Sequence, residues 1–215
     1  MTNTREPNSP AGAEPEPEAP IINITGERVA LGPLSRDHVA LFARWDNDFA
    51  VTLYAGDPLR PTTRELIEAR FDKGAKEESR HNVGFMIYER ATMRPLGVTE
   101  VRHIDHVHGT AEYGISIGEK DCWGKGYGTE ATRLMLDYAF RVLGLHNVML
   151  TTYAYNQRAI GAYTRAGFRE VGRRRECQRI GDRFYDDVYM DCLASEFHSP
   201  LAPVVPFPDE EREPR

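Results

Sequence analysis

Three glycines at alternate positions separate a strand-like segment from a helix-like one, and this arrangement constrains the fold more than any other feature of the chain. They are Gly124, Gly126 and Gly128. Glycine tolerates positive φ and lets the backbone approach a ligand without a Cβ in the way. The unpaired N–H groups and the dipole at the start of the following helix favour an anion. The spacing therefore predicts a site for a phosphate-bearing cofactor.

The segments on either side of this glycine loop have clear periodicities. Before it, apolar side chains alternate over residues 109–118, which predicts a strand with one buried face. After it, apolar residues recur with helical spacing over residues 131–142. We expect an amphipathic helix that is capped by Gly128 or Thr129 and ends at Gly144.

Other phosphate-binding loops fit the glycine loop less well. The nucleoside-triphosphate loop needs Ser or Thr after its lysine and an earlier glycine, but Gly126 follows Lys125 and Glu119 occupies the earlier position. The dinucleotide fingerprint fits residues 126–131, yet it needs an acidic residue about 20 positions on, and no Asp or Glu lies between Asp137 and Glu170. A nicotinamide oxidoreductase and a ligand-free turn are the weaker alternatives.

A second motif, Asn-x-x-Ala-x-x-x-Tyr-x-x-x-Gly-Phe, occupies residues 156–168. Asn156 is a good N-cap for a helix and Gly167 a good residue to end it. Together with Trp-Gly-Lys-Gly-Tyr-Gly at 123–128, this pattern resembles the GNAT acyltransferase superfamily. Within that superfamily it is most similar to the branch of ribosomal-protein alanine N-acetyltransferases and spermidine acetyltransferases. The resemblance covers about residues 28–197.

The resemblance implies an α/β fold with a mixed, mostly antiparallel central sheet, flanking helices and a glycine-loop site between central parallel strands. It implies acetyl-CoA as co-substrate. No metal is expected, because the cysteines and histidines lack the spacing of a ligand set. Loop amides would bind the pyrophosphate, strand main chain would pair with the pantetheine arm, and an asparagine would contact the cofactor. These residues are Gly124, Lys125, Gly126, Tyr127, Gly128 and Thr129 in the loop, Ile115, Ser116 and Ile117 in the strand, and Asn156.

The motifs indicate a candidate for the catalytic acid but none for the catalytic base. The resemblance implies that Tyr163 protonates the leaving thiolate, although helical spacing alone would make it a core aromatic. Thr151 occupies the position where one group in the family has a glutamate base, and threonine cannot accept a proton at neutral pH. Glu112 is therefore the first candidate base and Glu100 the second. Solvated or ion-paired glutamates are the alternative for both.

These residues predict an N-acetyltransferase that moves an acetyl group from acetyl-CoA to a primary amine. The acceptor would be a protein N-terminal α-amine, a polyamine or a small-molecule amine. A non-catalytic acyl-CoA-binding regulatory module on the same fold is the alternative. Trp123 stands where many members of the family have Gln or Arg, which is tolerable if backbone amides hold the phosphate.

Composition limits the organisation and the partners. Pro- and Glu-rich segments at 1–20 and 199–215 are expected to be flexible tails around a single domain at 21–198. A formal net charge of −6 argues against broad nucleic-acid affinity. No apolar run is long enough to span a membrane, so a cytoplasmic protein without membrane association is expected. A homodimer is compatible with the sequence.

The remaining periodicities predict the rest of the mixed fold. Strands are expected at 28–34, 83–89, 96–104, 147–153, 169–178 and 183–193. Helices are expected at 37–48 and 62–73. Loops around residues 47–60 and the hairpin formed by the last two strands are expected to determine the acceptor.

Overall fold

The computed structural model describes residues 19–56, 59–76 and 80–198. Its strands are β1 (Ile24–Thr25), β2 (Val29–Pro33), β3 (Val83–Glu89), β4 (Pro95–Asp105), β5 (Thr110–Ile117), β6 (Asn147–Tyr153), β7 (Arg169–Ile180) and β8 (Arg183–Leu193). Its α-helices are α1 (Val39–Asp46), α2 (Phe49–Ala55), α3 (Arg64–Lys76), α4 (Tyr127–Asp137) and α5 (Gln157–Ala166).

All eight strands form one sheet, in the order β1-β2-β3-β4-β5-β6-β8-β7. Only β5 and β6 are parallel neighbours, because the chain crosses back through α4 between them, whereas the other pairs are antiparallel. The predicted mixed, mostly antiparallel sheet with flanking helices is confirmed.

The parallel strands β5 and β6 pair only at their first residues and then separate. Their register ends at Glu112 and Met149. Beyond this point β5 continues to pair with β4, and β6 continues to pair with β8. The sheet therefore opens in the middle into two halves, and backbone groups that would normally pair across β5 and β6 border the opening.

Helix α4 closes one face of the sheet over the start of this opening. Its apolar side packs into the main core, with Leu134, Met135 and Leu136 at most 1% exposed. The helix begins two to three residues earlier than its expected cap, because Gly126 at φ 91° is the N-cap and Thr129 lies inside the first turn. The helix continues as a π-helical segment, Tyr138–Val142, and Gly144 has the positive φ (67°) expected of its end.

The other face of the sheet is covered by α1 and α2, and the sequence predicted only part of this layer. Instead of one helix over 37–48, a 3₁₀ turn leads into α1. Helix α2 then occupies residues that were expected to form a loop. Asp48 caps it by accepting the N–H of Ala50 at 3.0 Å, and Gly56 ends it at φ 95°. This short helix places its side chains beside the opening in the sheet.

A chain of buried hydroxyl groups fixes α4 to the sheet where the opening begins. Thr99 donates to the Tyr113 hydroxyl at 3.1 Å, and Tyr113 donates to Thr132 at 3.0 Å. Thr132 in turn donates to the carbonyl of Gly128 at 2.7 Å, within the first turn of α4. The core therefore sets the position of the glycine loop through a continuous hydrogen-bonded path.

Other expectations concern the ends of the chain and its cysteines. The expected tails lie outside the described residues, except for Ala19 and Pro20, so their flexibility stays a prediction. No helix in the described part of the chain is long and apolar enough to cross a membrane. All three cysteines are free thiols.

The hydroxyl chain predicts the effect of removing its central member. Tyr113→Phe should lower the free energy of unfolding by about 1 to 2 kcal/mol, because two buried hydrogen bonds are lost while the ring is retained. Urea denaturation measures this difference. The matched control is Tyr189→Phe, a half-buried tyrosine on the face of β8 that points away from the main core. It should change stability by less than about 0.5 kcal/mol. Equal stability of both variants would contradict this role for the chain.

Candidate active site

Two clefts meet where the sheet opens. The first, with a volume of about 550 Å³, lies between the glycine loop, the separated end of β5 and helix α5. The second, of about 530 Å³, lies on the side of α1 and α2 and extends over β4, β5, β6 and β8. Both are lined by Val51, Tyr54, Ala55, Ile115, Ser116 and Tyr163. A molecule in one cleft can therefore react with a molecule in the other across this junction.

The two clefts carry opposite charge. Among the described residues, the charged side chains that line the first cleft are all cationic, namely Lys125, Arg158 and Arg165. Those that line the second cleft are four carboxylates and one guanidinium, namely Asp46, Glu100, Glu112, Asp187 and Arg102. The first cleft suits an anion and the second a cation.

The glycine loop has the geometry of an anion site. Gly124 and Gly126 have φ values of 76° and 91°, in the left-handed region that favours glycine. No side chain caps the start of α4, so its first N–H groups are available to a ligand. Gly128 lines the cleft and lies within the helix, and a Cβ added there would be 3.8 Å from its nearest neighbour, Ile117.

Hydrogen bonds with Arg28 and with the end of β5 hold the glycine loop in place. The Arg28 guanidinium donates to the carbonyl of Lys125 at 2.7 Å, and the Arg28 N–H donates to the Glu130 carboxylate at 2.9 Å. Trp123 donates its indole N–H to the Ile117 carbonyl at 2.8 Å. The tryptophan that replaces the usual Gln or Arg thus links the loop to the edge of β5.

The predicted cofactor residues assemble around the first cleft, with one exception in side-chain direction. The residues that line it are Ile115, Ser116, Ile117, Gly124, Lys125, Gly126, Gly128, Thr129 and Asn156. The Tyr127 side chain instead points to the far side of the loop, where its hydroxyl donates to Glu89. Only the backbone amide of Tyr127 can serve the predicted role.

Asn156 and Arg158 mark the α5 side of the first cleft. Asn156 is the predicted N-cap of α5, since its side chain accepts the N–H of Ala159 at 3.2 Å. Arg158, which the sequence analysis missed, lies over the Trp123 ring at 3.8 Å and over the Tyr54 ring at 5.1 Å. Burial lowers the pKa of Arg158, and Tyr54 partly offsets this. Its position within the Asn-x-x-Ala motif was the available signal.

Tyr163 lies on α5 at the vertex of the opening, which is the point where β5 and β6 stop pairing. Its ring packs edge-on against Tyr113, the first β5 residue beyond the parallel pairing, at a centroid distance of 6.3 Å. The side chain belongs to the core but borders both clefts at 9% exposure. Burial raises the pKa of Tyr163 to about 12. The phenol therefore keeps its proton through the neutral range and can donate it.

The two candidate bases lie together in the second cleft but differ in their surroundings. Arg102 donates to Glu112 at 2.6 Å and to Glu100 at 3.2 Å, and the His103 ring lies 3.1 Å from Glu112. Burial raises the pKa of Glu112, but Arg102 and His103 outweigh it, so the pKa falls below its ordinary value. Glu112 is an ion-paired carboxylate of low basicity, while the Glu100 side chain remains 45% exposed.

Asp187 is a further acidic residue of the second cleft that the sequence did not reveal. It lies on β8, opposite Tyr153 of β6. Its position in the cleft depends on the order of strands in the sheet, in which β8 is inserted between β6 and β7. No local pattern in the sequence carries that information.

A glycine loop beside a split sheet, with a buried tyrosine where the strands separate, is the arrangement that the sequence resemblance leads us to expect of an N-acetyltransferase. The family profile "Acetyltransferase (GNAT) domain" matches residues 28–169, and the chain belongs to this family. Over 144 residues it is 31% identical to the spermidine N(1)-acetyltransferase of Escherichia coli K12, and the aligned region covers 67% of this chain and 74% of that protein. Over 101 residues it is 32% identical to the putative ribosomal N-acetyltransferase YdaF of Bacillus subtilis, with coverage of 47% and 55%.

A solved structure agrees in fold. The spermidine N-acetyltransferase of Vibrio cholerae, crystallised in complex with CoA and spermine, superimposes with a TM-score of 0.72. The alignment covers 79% of this chain and 97% of that one at 24% identity. The structure shows the fold, and the two relatives above confirm the suspected branch of the superfamily.

Two glycines of the loop should respond differently to alanine. Gly126→Ala should lower the free energy of unfolding by about 1 to 2 kcal/mol, because a side chain is strained at φ 91°. Gly128→Ala should leave stability unchanged or slightly raised, because the site is helical and has room for a Cβ. It should nevertheless weaken CoA binding at least tenfold, because that Cβ occupies the cleft beside the loop amides.

Thermal unfolding and titration calorimetry with CoA measure these two effects separately. Gly74→Ala on α3 is the control, since a Cβ there meets nothing within 4 Å. Wild-type affinity for CoA in Gly128→Ala would show that the loop is not the phosphate site.

Proposed function

We propose that the protein transfers an acetyl group from acetyl-CoA, bound in the first cleft, to a cationic primary amine that enters through the second. The carrying observation is the meeting of a basic and an acidic cleft at Tyr163. CoA is a polyanion and an amine acceptor is a cation at neutral pH, so each cleft complements one reactant. No metal is part of this proposal.

Several features support acetyl-CoA as the occupant of the first cleft. Uncapped helix N–H groups and two positive-φ glycines provide the donors for a pyrophosphate. Beyond the end of the β5–β6 pairing, residues 115–117 border the opening and offer an extended edge to the pantetheine arm. The Vibrio cholerae enzyme of the same fold was crystallised with CoA.

The acceptor is an amine of the polyamine or N-terminal α-amine type. One relative is named for spermidine and another for a ribosomal substrate, and the acidic second cleft suits either cation. Deprotonation at pH 7 costs about 4.6 kcal/mol for an amine of pKa near 10.4, against about 1 kcal/mol for an α-amine. The polyamine acceptor therefore depends more strongly on a proton-accepting carboxylate in the cleft.

Tyr163 is the proposed proton donor to the leaving sulfur. Acetyl-CoA supplies an activated thioester, and the junction of the two clefts brings the amine next to it. Burial that raises the pKa of Tyr163 to about 12 keeps the phenol protonated until a stronger base forms nearby. A departing thiolate is such a base only while it is shielded from water. The burial of the vertex provides that shielding.

Glu100 and Glu112 are the proposed proton acceptors, and their surroundings assign them different parts. Glu112 accepts a hydrogen bond from Arg102 and orients that guanidinium. Because the ion pair lowers its pKa, Glu112 is a weak proton acceptor. Glu100 is more exposed and can take the amine proton directly or through water. In pH–rate profiles, Glu100→Gln should lower kcat/KM more than tenfold below pH 8 and recover as pH rises and the free amine accumulates. A larger loss in Glu112→Gln would reverse the assignment.

Thiol release tests the proposed function directly. Wild-type protein with acetyl-CoA should release CoA thiol when a polyamine or a peptide with a free α-amine is added, and should not when the amine is blocked. Tyr163→Phe should lower kcat at least a hundredfold, because the proton donor is lost, while the dissociation constant of CoA stays within twofold.

Tyr138→Phe is the control, since it removes a half-buried phenolic hydroxyl that lines neither cleft. It should retain wild-type turnover. Release of thiol by Tyr163→Phe at the wild-type rate would return Tyr163 to a purely structural role. If wild-type protein released no thiol with any amine of the panel, a CoA-binding module would remain as the function.

A further inference from the structure

We propose that Asp187 binds a second ammonium group of the acceptor and thereby selects acceptors with two cationic nitrogens. The inference rests on the proposed function and names the substrate class of the same site. Asp187 is 6% exposed and lines the second cleft. Its Oδ1 has no hydrogen-bond partner among the described residues, while its Oδ2 accepts only from the Gln178 amide at 3.3 Å.

An unsatisfied buried carboxyl oxygen calls for a ligand. In water it would accept two or more hydrogen bonds, and a buried carboxylate is normally paired or fully hydrogen-bonded. Arg174 is the cross-strand neighbour of Asp187 on β7, but it is exposed and forms no described ion pair with it. Oδ1 itself is buried, so a ligand reaches the carboxylate when the side chain rotates towards the cleft that Asp187 lines, and a donor with positive charge satisfies it best.

The cleft wall beside Asp187, formed by Tyr153, also suits an ammonium group. Asp187 is paired with Tyr153 across β8 and β6, so their side chains project from the same face of the sheet. The Tyr153 ring stacks on Tyr155 at 5.0 Å, and Tyr155 packs edge-on against Tyr185 at 5.0 Å. The faces of aromatic rings attract cations. A carboxylate next to an aromatic wall therefore selects for positive charge.

The nitrogen bound by Asp187 is not the nitrogen that is acetylated. An amine must lose its proton before it attacks, whereas a carboxylate stabilises the protonated form. Asp187 also lies on β8, one strand beyond β6, and neighbouring strands are about 5 Å apart. The junction with the first cleft lies on the other side of β6, between β5 and β6. The acceptor therefore places one nitrogen at the junction and a second nitrogen, several bonds away, at Asp187.

Two amines of equal length test this inference. 1,4-Diaminobutane carries two nitrogens and 1-aminobutane carries one. Titration calorimetry on the full chain saturated with CoA should show that wild type binds the diamine at least tenfold more tightly. In Asp187→Asn this preference should fall to less than threefold, through loss of diamine affinity by roughly 10- to 100-fold, the range expected for a charged hydrogen bond. The affinity for the monoamine should stay within threefold.

The control variant is Asp182→Asn, which makes the same change of charge in the exposed turn of the β7–β8 hairpin and should keep the full diamine preference. Unchanged CoA affinity in both variants shows that they are folded. Equal affinity of wild type for the two amines, or an undiminished diamine preference in Asp187→Asn, overturns the inference. An equal loss for both amines also overturns it. Binding is measured without turnover, so failure of acetyl transfer in the thiol assay is distinguishable from failure of this site.

Discussion

The separation of two parallel strands is the constraint on which the rest of the structure depends. Strands β5 and β6 share three residue pairs and then diverge, while each remains paired on its other side. A continuous sheet would satisfy its backbone internally and leave no route from one face to the other. The opening joins the two faces, so two reactants can approach from different sides and meet within one domain. Tyr163 lies at the vertex, with its ring packed against Tyr113, the first β5 residue beyond the pairing with β6.

The opening also separates charge. Cationic residues of the first cleft come from the glycine loop and α5, whereas the carboxylates of the second cleft come from α1, β4, β5 and β8. In the proposed function, an anionic carrier and a cationic acceptor would be drawn to different clefts, so neither would occupy the site of the other. The buried hydroxyl chain through Tyr113 connects these regions, because it reaches from β4 to the first turn of α4 beneath the loop. Rigid packing here keeps the two clefts in register.

Features encoded by local periodicity could be predicted from the sequence. The glycine loop, the helix after it, Asn156 as an N-cap and the six longer strands all depend on residues close together in the chain. Helix α2 could not be predicted in the same way, because seven residues carry too little periodicity to reveal a helix whose ends are set by Asp48 and Gly56. The cap of α4 was misplaced because Gly126 adopts a left-handed conformation that takes the place of a side-chain cap.

Features encoded by long-range register could not be predicted. Asp187 enters the second cleft only because β8 lies next to β6, and Arg158 covers the first cleft only because Trp123 and Tyr54 are brought beneath it. Likewise, the ion pair that lowers the pKa of Glu112 depends on the pairing of β4 with β5. Sequence patterns therefore identified the residues of the first cleft in more detail than those of the second.

A crystal structure of the protein with acetyl-CoA would test the central claim most directly. The pyrophosphate should lie on the backbone N–H groups at the start of α4, and the pantetheine arm should pass between β5 and β6. The sulfur should lie within hydrogen-bonding distance of the Tyr163 hydroxyl. A cofactor bound elsewhere, or a sulfur that remains outside the opening between the strands, would contradict the account.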